Sequence, residues 1–280
     1  MLDSGIRYMS EEEAKLGPIA QRIENVGRAT MVGVSEIGYC GSLVWETIYW
    51  VFMGHKMGQP VRLQSIFAHM MESGVRAIPI VGMLGVTVGM MLAIQGIYTM
   101  RIFGAESHVT IGISFSVVRE FAPLITGILV AGRSGSALAA RIGIMNITQE
   151  VDALSVMGIN PVRFLVAPAL LAMIIMVPCL TFFSDVIGLL GAGIYVAVDL
   201  NISLAAFWDQ VFEWLSVDDV MHGLGKSVLF AILIAVIGVA NGASVSGGAE
   251  GVGKVTTRAV VQSISAIVLT DMLFAFMVTR

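Results

Sequence analysis

Five stretches of this chain run for about twenty residues or more with very few charged side chains: 77–100, 110–132, 164–198, 227–246 and 259–279. Each matches the roughly 20 apolar residues that a helix needs to cross the hydrocarbon of a bilayer. Backbone donors and acceptors find no water there, so a spanning segment of this length must satisfy its own hydrogen bonds as a helix. Only 13% of the residues are charged, about half the share usual in soluble domains. The mean hydropathy is +0.86. A water-soluble core of 280 residues could not cover so much apolar surface. The sequence therefore predicts an all-α integral membrane protein with five transmembrane helices. It divides into an N-terminal cytoplasmic or interfacial amphipathic region, 1–60, and a transmembrane domain, 61–280.

The N-terminal region alternates Arg22, Glu24, Arg28, Glu36 and Glu46 with apolar and aromatic residues. A helix lying in the membrane interface fits this pattern better than a further span. Lys and Arg concentrate before the first span (Arg22, Arg28, Lys56, Arg62, Arg76), around the second loop (Arg133, Arg141, Arg163) and beside the fourth (Lys254, Arg258). Acids dominate the opposite side, with Glu106, Asp199, Asp209, Glu213, Asp218 and Asp219. The positive-inside rule then places the N-terminus in the cytoplasm and the C-terminus outside. On the outer side, "NISLAAFWDQVFEWLSVDD" reads as an amphipathic helix resting near the membrane. Gly82, Gly85 and Gly89 recur at helical spacing, which suits close packing of helices in lipid.

Several function classes fall away. The net charge of −4, with no basic tract, argues against nucleic acid. Cys40 and Cys179 form neither a disulfide framework nor a CxxC motif. His55, His69, His108 and His222 show no metal-binding spacing, and no metal site is expected. Two segments imitate a phosphate loop, "HGLGKS" at 222–227 and "GAEGVGKVT" at 248–256. The first has Val220 in place of the leading glycine, and the second has Val255 in place of the hydroxyl that would meet Mg²⁺. The chain is not expected to bind ATP itself.

The more informative feature is charge inside the spans. "SVVREFAP" sets Arg119 and Glu120 side by side in the second span; Asp185 lies in the third, Lys226 at the start of the fourth and Asp271 in the fifth. Such groups are costly in lipid and normally face a cavity, the bundle interior or one another. Glu120 is ten residues into its span, about 15 Å at the helical rise, and Asp271 nine residues from its outer end, about 14 Å. Asp185 is thirteen residues from the outer end of the third span. Lys226 falls in the outer turns of the fourth, and Gln95 and Tyr98 in those of the first. These depths predict either a polar cavity open toward the outer side or a set of ion pairs bracing the bundle.

The loop between spans two and three reads "AGRSGSALAARIGIMNITQEVDALSVMGINPVRFLVAP", a small-residue helix followed by Gln149, Glu150 and Asp152 and a turn at Asn160-Pro161. With "REFAPLITGILVAG" before it, "KSVLFAI" at 226–232, "GGAEGVGKVTTRAVVQS" at 247–263 and Asp271, the chain resembles the MlaE/YrbE permeases, the membrane subunits of ABC systems that work with MCE proteins on lipids. The resemblance covers residues from about 60 to 280. It implies a homodimer in a bacterial inner membrane that transfers phospholipid to or from a periplasmic, hexameric MCE-domain protein. It further implies a separate ABC ATPase that holds ATP-Mg, a STAS-domain accessory protein, and a chain that carries no cofactor and is not itself an enzyme. Arg133, Arg141, Gln149, Glu150 and Asp152 fall on the cytoplasmic coupling helix that the family docks on its ATPase. Arg119, Glu120, Lys226 and Asp271, with Gln95 and Tyr98 nearby, fall on the family's lipid cavity or its supporting network. The competing class is an ion-coupled secondary transporter of an amphipathic substrate, since intramembrane carboxylates and a lysine can relay protons. Its usual marks, inverted repeats and more spans, are missing from the sequence.

Overall fold

A computed structural model of the chain describes residues 18–54 and 60–278. His55, Lys56, the acidic "SEEEAK" segment and Arg280 lie outside the described residues. The chain divides into two compact units, Met1–Leu43 and Val44–Arg280. Helix α1, Pro18–Met53, supplies the described part of the first unit and ends in the second.

The second unit is helical throughout, with no strand among the described residues. α2 (Leu63–Ser73) passes through one 3-10 turn into α3 (Ile78–Ile102). α4 (Val109–Ser116), α5 (Ala122–Val130) and α6 (Ser136–Ile147) follow one another along a single rod, joined by π-helical turns at Val117–Phe121 and Ala131–Gly135. The short α7 (Glu150–Val156) leads through a third π turn, Val162–Val166, to α8 (Ala167–Leu200). α9 (Leu204–Trp214), α10 (Val217–Ala243) and α11 (Gly248–Val278) complete the chain.

Five of these helical stretches are long and apolar enough to cross a membrane: Leu63–Ile102, Glu106–Ile147, Val162–Leu200, Val217–Ala243 and Gly248–Met277. They correspond in number and order to the five apolar stretches, but their ends differ. The second helix continues to Ile147, well past the apolar stretch that ends at 132. The fourth begins at Val217, because Ser216 and Asp219 close a capping box that starts the helix among charged residues. The fifth begins at Gly248, so the glycine-rich 248–256 segment is helical, as is 222–227 within α10. Neither forms a loop.

Two of the π turns have a local cause. A proline lacks an N–H and its ring crowds the carbonyl four residues back. Pro123 and Pro168 each follow such a turn, and there the N–H groups of Ala122 and Ala167 reach back five residues, to Val117 and Val162. Pro178, by contrast, lies inside α8 without interrupting it.

α3 packs along α8, and glycines set how closely. A Cβ on Gly89 would overlap the carbonyl of Gly188, and Gly85 lies against Ser184. The Gly85/Gly89 spacing thus marks a real helix–helix seam within the chain. α10 packs against α8, α11 and α6. α4 and the C-terminal ends of α3 and α8 share a core containing Ile97, Ile113, Val117 and Val196, which α9 enters with Phe207 and Val211. The other side of α9 exposes Phe212 and Trp214. It is the expected amphipathic helix, capped at its start by the Ser203 hydroxyl, which accepts from the Ala206 N–H.

Candidate functional site: a charged cluster among three spans

The π turn at Val117–Phe121 carries Arg119 and Glu120. A single extra residue in a helical turn re-aims the side chains on it, and such turns recur at functional sites. Here the turn brings Glu120 to Lys226 of α10: the ammonium Nζ donates to Glu120 Oε2 at 2.6 Å. The same Nζ lies 3.0 Å from Oδ1 of Asp271 on α11. Lys226 has no exposed surface, whereas the Glu120 side chain is 40% exposed and Asp271 15%. Close packing at α10 makes this approach possible, since a Cβ on Gly223 would overlap the Val118 carbonyl.

A second ion pair flanks the first. Arg119 Nη1 lies 3.7 Å from Asp219 Oδ1, beyond hydrogen-bond distance, and the arginine side chain is 34% exposed. Between the two pairs sits His222, three residues after Asp219 and four before Lys226 on the same face of α10. Its ring lies 4.9 Å from that of Phe274 of α11, tilted at 58°, and Lys226 Nζ lies 5.8 Å from the same Phe274 ring. Both ring nitrogens are shielded and have no hydrogen-bond partner among the described residues.

The arrangement thus unites Arg119, Glu120, Lys226 and Asp271, and it adds Asp219, His222 and Phe274, which the sequence reading left out. Lys226 stands nine residues after the start of α10, about 14 Å along the helix axis, because the helix begins well before the apolar stretch. The apolar window at 227 hid the true start of the helix. The signal that locates it is Ser216-x-x-Asp219, which fixes the phase of α10 and puts Asp219, His222 and Lys226 on one face. Asp185 does not join the cluster: it is buried in α8 and neither carboxylate oxygen has a partner among the described residues. Gln95 and Tyr98 lie on the exposed face of α3, and no side-chain bond links them to the cluster.

At the other end of the rod, Gln149 takes a left-handed conformation with φ 59° and turns the chain from α6 into α7. Leu154 anchors α7, while Gln149, Glu150 and Asp152 are exposed, and Val156 is 89% exposed. Thr148 donates to Glu150 Oε1 at 2.9 Å. Arg133 and Arg141 stand apart from this helix. Arg133 belongs to the π turn at Ala131–Gly135, with Nη1 enclosed and unpartnered among the described residues. Arg141 faces Glu72 of α2 at 3.9 Å, beside a small cavity that His69 and Ser134 also line. After α7, Asn160 holds the turn together: its Oδ1 accepts from the Arg163 N–H at 3.0 Å, and its Nδ2 donates to Glu46 Oε1 at 2.8 Å.

Fold and cluster together define a multi-pass helical membrane protein that keeps a charged centre inside its spans and an exposed short helix on one connecting loop. The model of the permease MlaE family matches residues 66–277. The chain is 33% identical over 252 residues to a probable ABC transporter permease protein of Rickettsia typhi, covering 88% of this chain and 97% of that protein. It is 35% identical over 198 residues to the intermembrane phospholipid transport system permease protein MlaE of Haemophilus influenzae, covering 70% and 75%. It is also 33% identical over 184 residues to the chloroplastic protein trigalactosyldiacylglycerol 1 of Arabidopsis thaliana, covering 66% and 53%. The chain belongs to the MlaE permease family, and its relatives are permeases of ABC transporters.

Proposed function

We propose that this chain is the membrane subunit of an ABC transporter that moves phospholipids between a bacterial inner membrane and a periplasmic MCE-domain protein. Two copies form the permease core, and a separate ATPase subunit hydrolyses ATP. The observation that carries this reading is the extent of the family match. Residues 66–277 take in both the charged cluster and the exposed loop helix, and the similar protein of Haemophilus influenzae is named for phospholipid transport. Arg119 and Glu120, both partly exposed within a spanning rod, offer a lipid headgroup the charges that hydrocarbon lacks. Gln95 and Tyr98, exposed on α3, contribute from the opposite wall once the second copy closes the site.

The N-terminus lies in the cytoplasm and the C-terminus on the periplasmic side. Gln149, Glu150 and Asp152 of the exposed loop then face the cytoplasm, where α7 docks on the ATPase with Val156 and Met157 as its apolar contacts. Arg133, whose Nη1 is enclosed, and Arg141, exposed beside Glu72, transmit movement of α7 into the spans. A STAS-domain protein binds on the same side. Mild-detergent purification of the tagged chain from its native membrane, with mass spectrometry of what accompanies it, tests the assembly. The expected companions are an ABC ATPase, an MCE-domain protein and phospholipid. Recovery of the active chain alone would overturn the reading.

A further inference from the structure

α7 and the turn behind it are tied together. The Ile159 N–H donates to the Leu154 carbonyl at 2.9 Å, and Gly158, at φ 74°, folds the chain back on the helix it has just left. Asn160 follows at once, and its side chain is held at both ends. Its Oδ1 accepts from the Arg163 N–H at 3.0 Å, and its Nδ2 donates to Glu46 Oε1 of α1 at 2.8 Å. An amide has one accepting and one donating end. A carboxylate at Glu46 can only accept, so it draws Nδ2 toward α1 and leaves Oδ1 to hold the Arg163 N–H.

The grip extends past Asn160. Trp50, one turn further along α1, donates its indole N–H to the same Glu46 oxygen at 3.4 Å. The Arg163 guanidinium lies 5.5 Å from the centre of that Trp50 ring, within the range where a cation and an aromatic face attract. A second such contact sets Arg62, the residue before α2, 4.9 Å from the Phe164 ring. The end of α1 and the start of α2 thus clasp the π turn Val162–Val166, through which the chain passes from α7 into α8. Glu46 is the one charged residue between Gly41 and Met53.

Resting on the ATPase-coupling reading above, we infer that Glu46 is a positioning residue for transport. Through Asn160 it makes the end of α1 move with α7. A push on α7 then reaches α1, the start of α2 and α8 together, instead of being lost in the loop.

The test reverses this hydrogen bond while keeping the shape of both side chains. Asn160→Asp keeps an oxygen for the Arg163 N–H but sets a second carboxylate against Glu46. Adding Glu46→Gln puts the donor on α1 and the acceptor on the turn. The assembled transporter, purified through the full chain, is reconstituted in vesicles with fluorescent phosphatidylethanolamine. Lipid transferred per ATP hydrolysed is then measured. Asn160→Asp is expected to lower that ratio about fivefold, the typical net worth of one hydrogen bond, with as much ATPase co-purifying as in the wild type. The double variant is expected to recover at least about half of the wild-type ratio, because the two changes act on one contact. If Asn160→Asp does not fold, Glu46→Ala removes the acceptor from the other side, and Glu46→Gln, whose Oε1 still accepts, is its control. A contact that serves stability alone would lower the melting temperature and leave the ratio unchanged, and that result overturns the inference. So does a double variant that transfers no better than the single one. Loss of the ATPase from the single variant overturns it as well, since Glu46 would then shape docking and not transmission. A wild-type chain that brings down no ATPase overturns the coupling reading itself.

Discussion

Lys226 has no exposed surface, and two carboxylates lie within 3.0 Å of its ammonium. Replacing it with methionine keeps the length of the side chain but leaves Glu120 and Asp271 facing each other without a cation. Removing one partner of a buried ion pair costs about 3–5 kcal/mol. The partial exposure of Glu120 puts the expected loss for Lys226→Met near the lower end, about 3 kcal/mol. Combining Lys226→Met with Glu120→Gln and Asp271→Asn is expected to restore most of that loss, because no unpaired charge remains. Thermal unfolding of the purified variants in detergent measures both. A single variant that melts with the wild type would show that the triad contributes nothing to stability. At this scale the charged residue types inside the spans are legible in the sequence, but not who pairs with whom. Asp185 and Lys226 are both charges inside spans, yet among the described residues only the lysine is met by partners from two other helices.

At the scale of elements, apolar length alone located five helices, while polar signals set where they begin and end. Ser216 and Asp219 start α10 ten residues before its apolar window, and Gln149 at φ 59° separates α6 from α7. The π turns were not legible from hydropathy, although the prolines that follow two of them were in view. Helix α7 stands exposed on its loop, with its acids Glu150 and Asp152 in the first turn. Acids there favour the positive end of the helix dipole, so reversing both charges weakens the helix as well as any basic groove that receives it. Glu150→Lys with Asp152→Lys is expected to lower ATP-driven lipid transfer at least about tenfold, the loss of ~1.4 kcal/mol in docking. Transfer assays on the assembled transporter check this, and circular dichroism of the variant confirms that the bundle is intact. Undiminished transfer would remove α7 from the coupling path.

For the whole molecule, the membrane class was the most legible property, since no soluble packing accommodates five such apolar helices. Family membership followed from motifs spread over most of the chain and is borne out by the match to residues 66–277. The grouping of the cluster was not legible, because it depends on how α10 and α11 are rotated against the rod that carries Arg119 and Glu120. Glycine contacts such as Gly223 against Val118 set that rotation. The account's central claim is that this chain moves phospholipid only when a separate ATPase drives it. The most direct measurement is transfer of a fluorescent phospholipid from vesicles that contain the chain, with and without its ATPase, ATP and a proton gradient. The account predicts transfer with ATPase and ATP together, and none from the chain alone under a proton gradient. Gradient-driven transfer by the chain alone would contradict it and identify a secondary transporter.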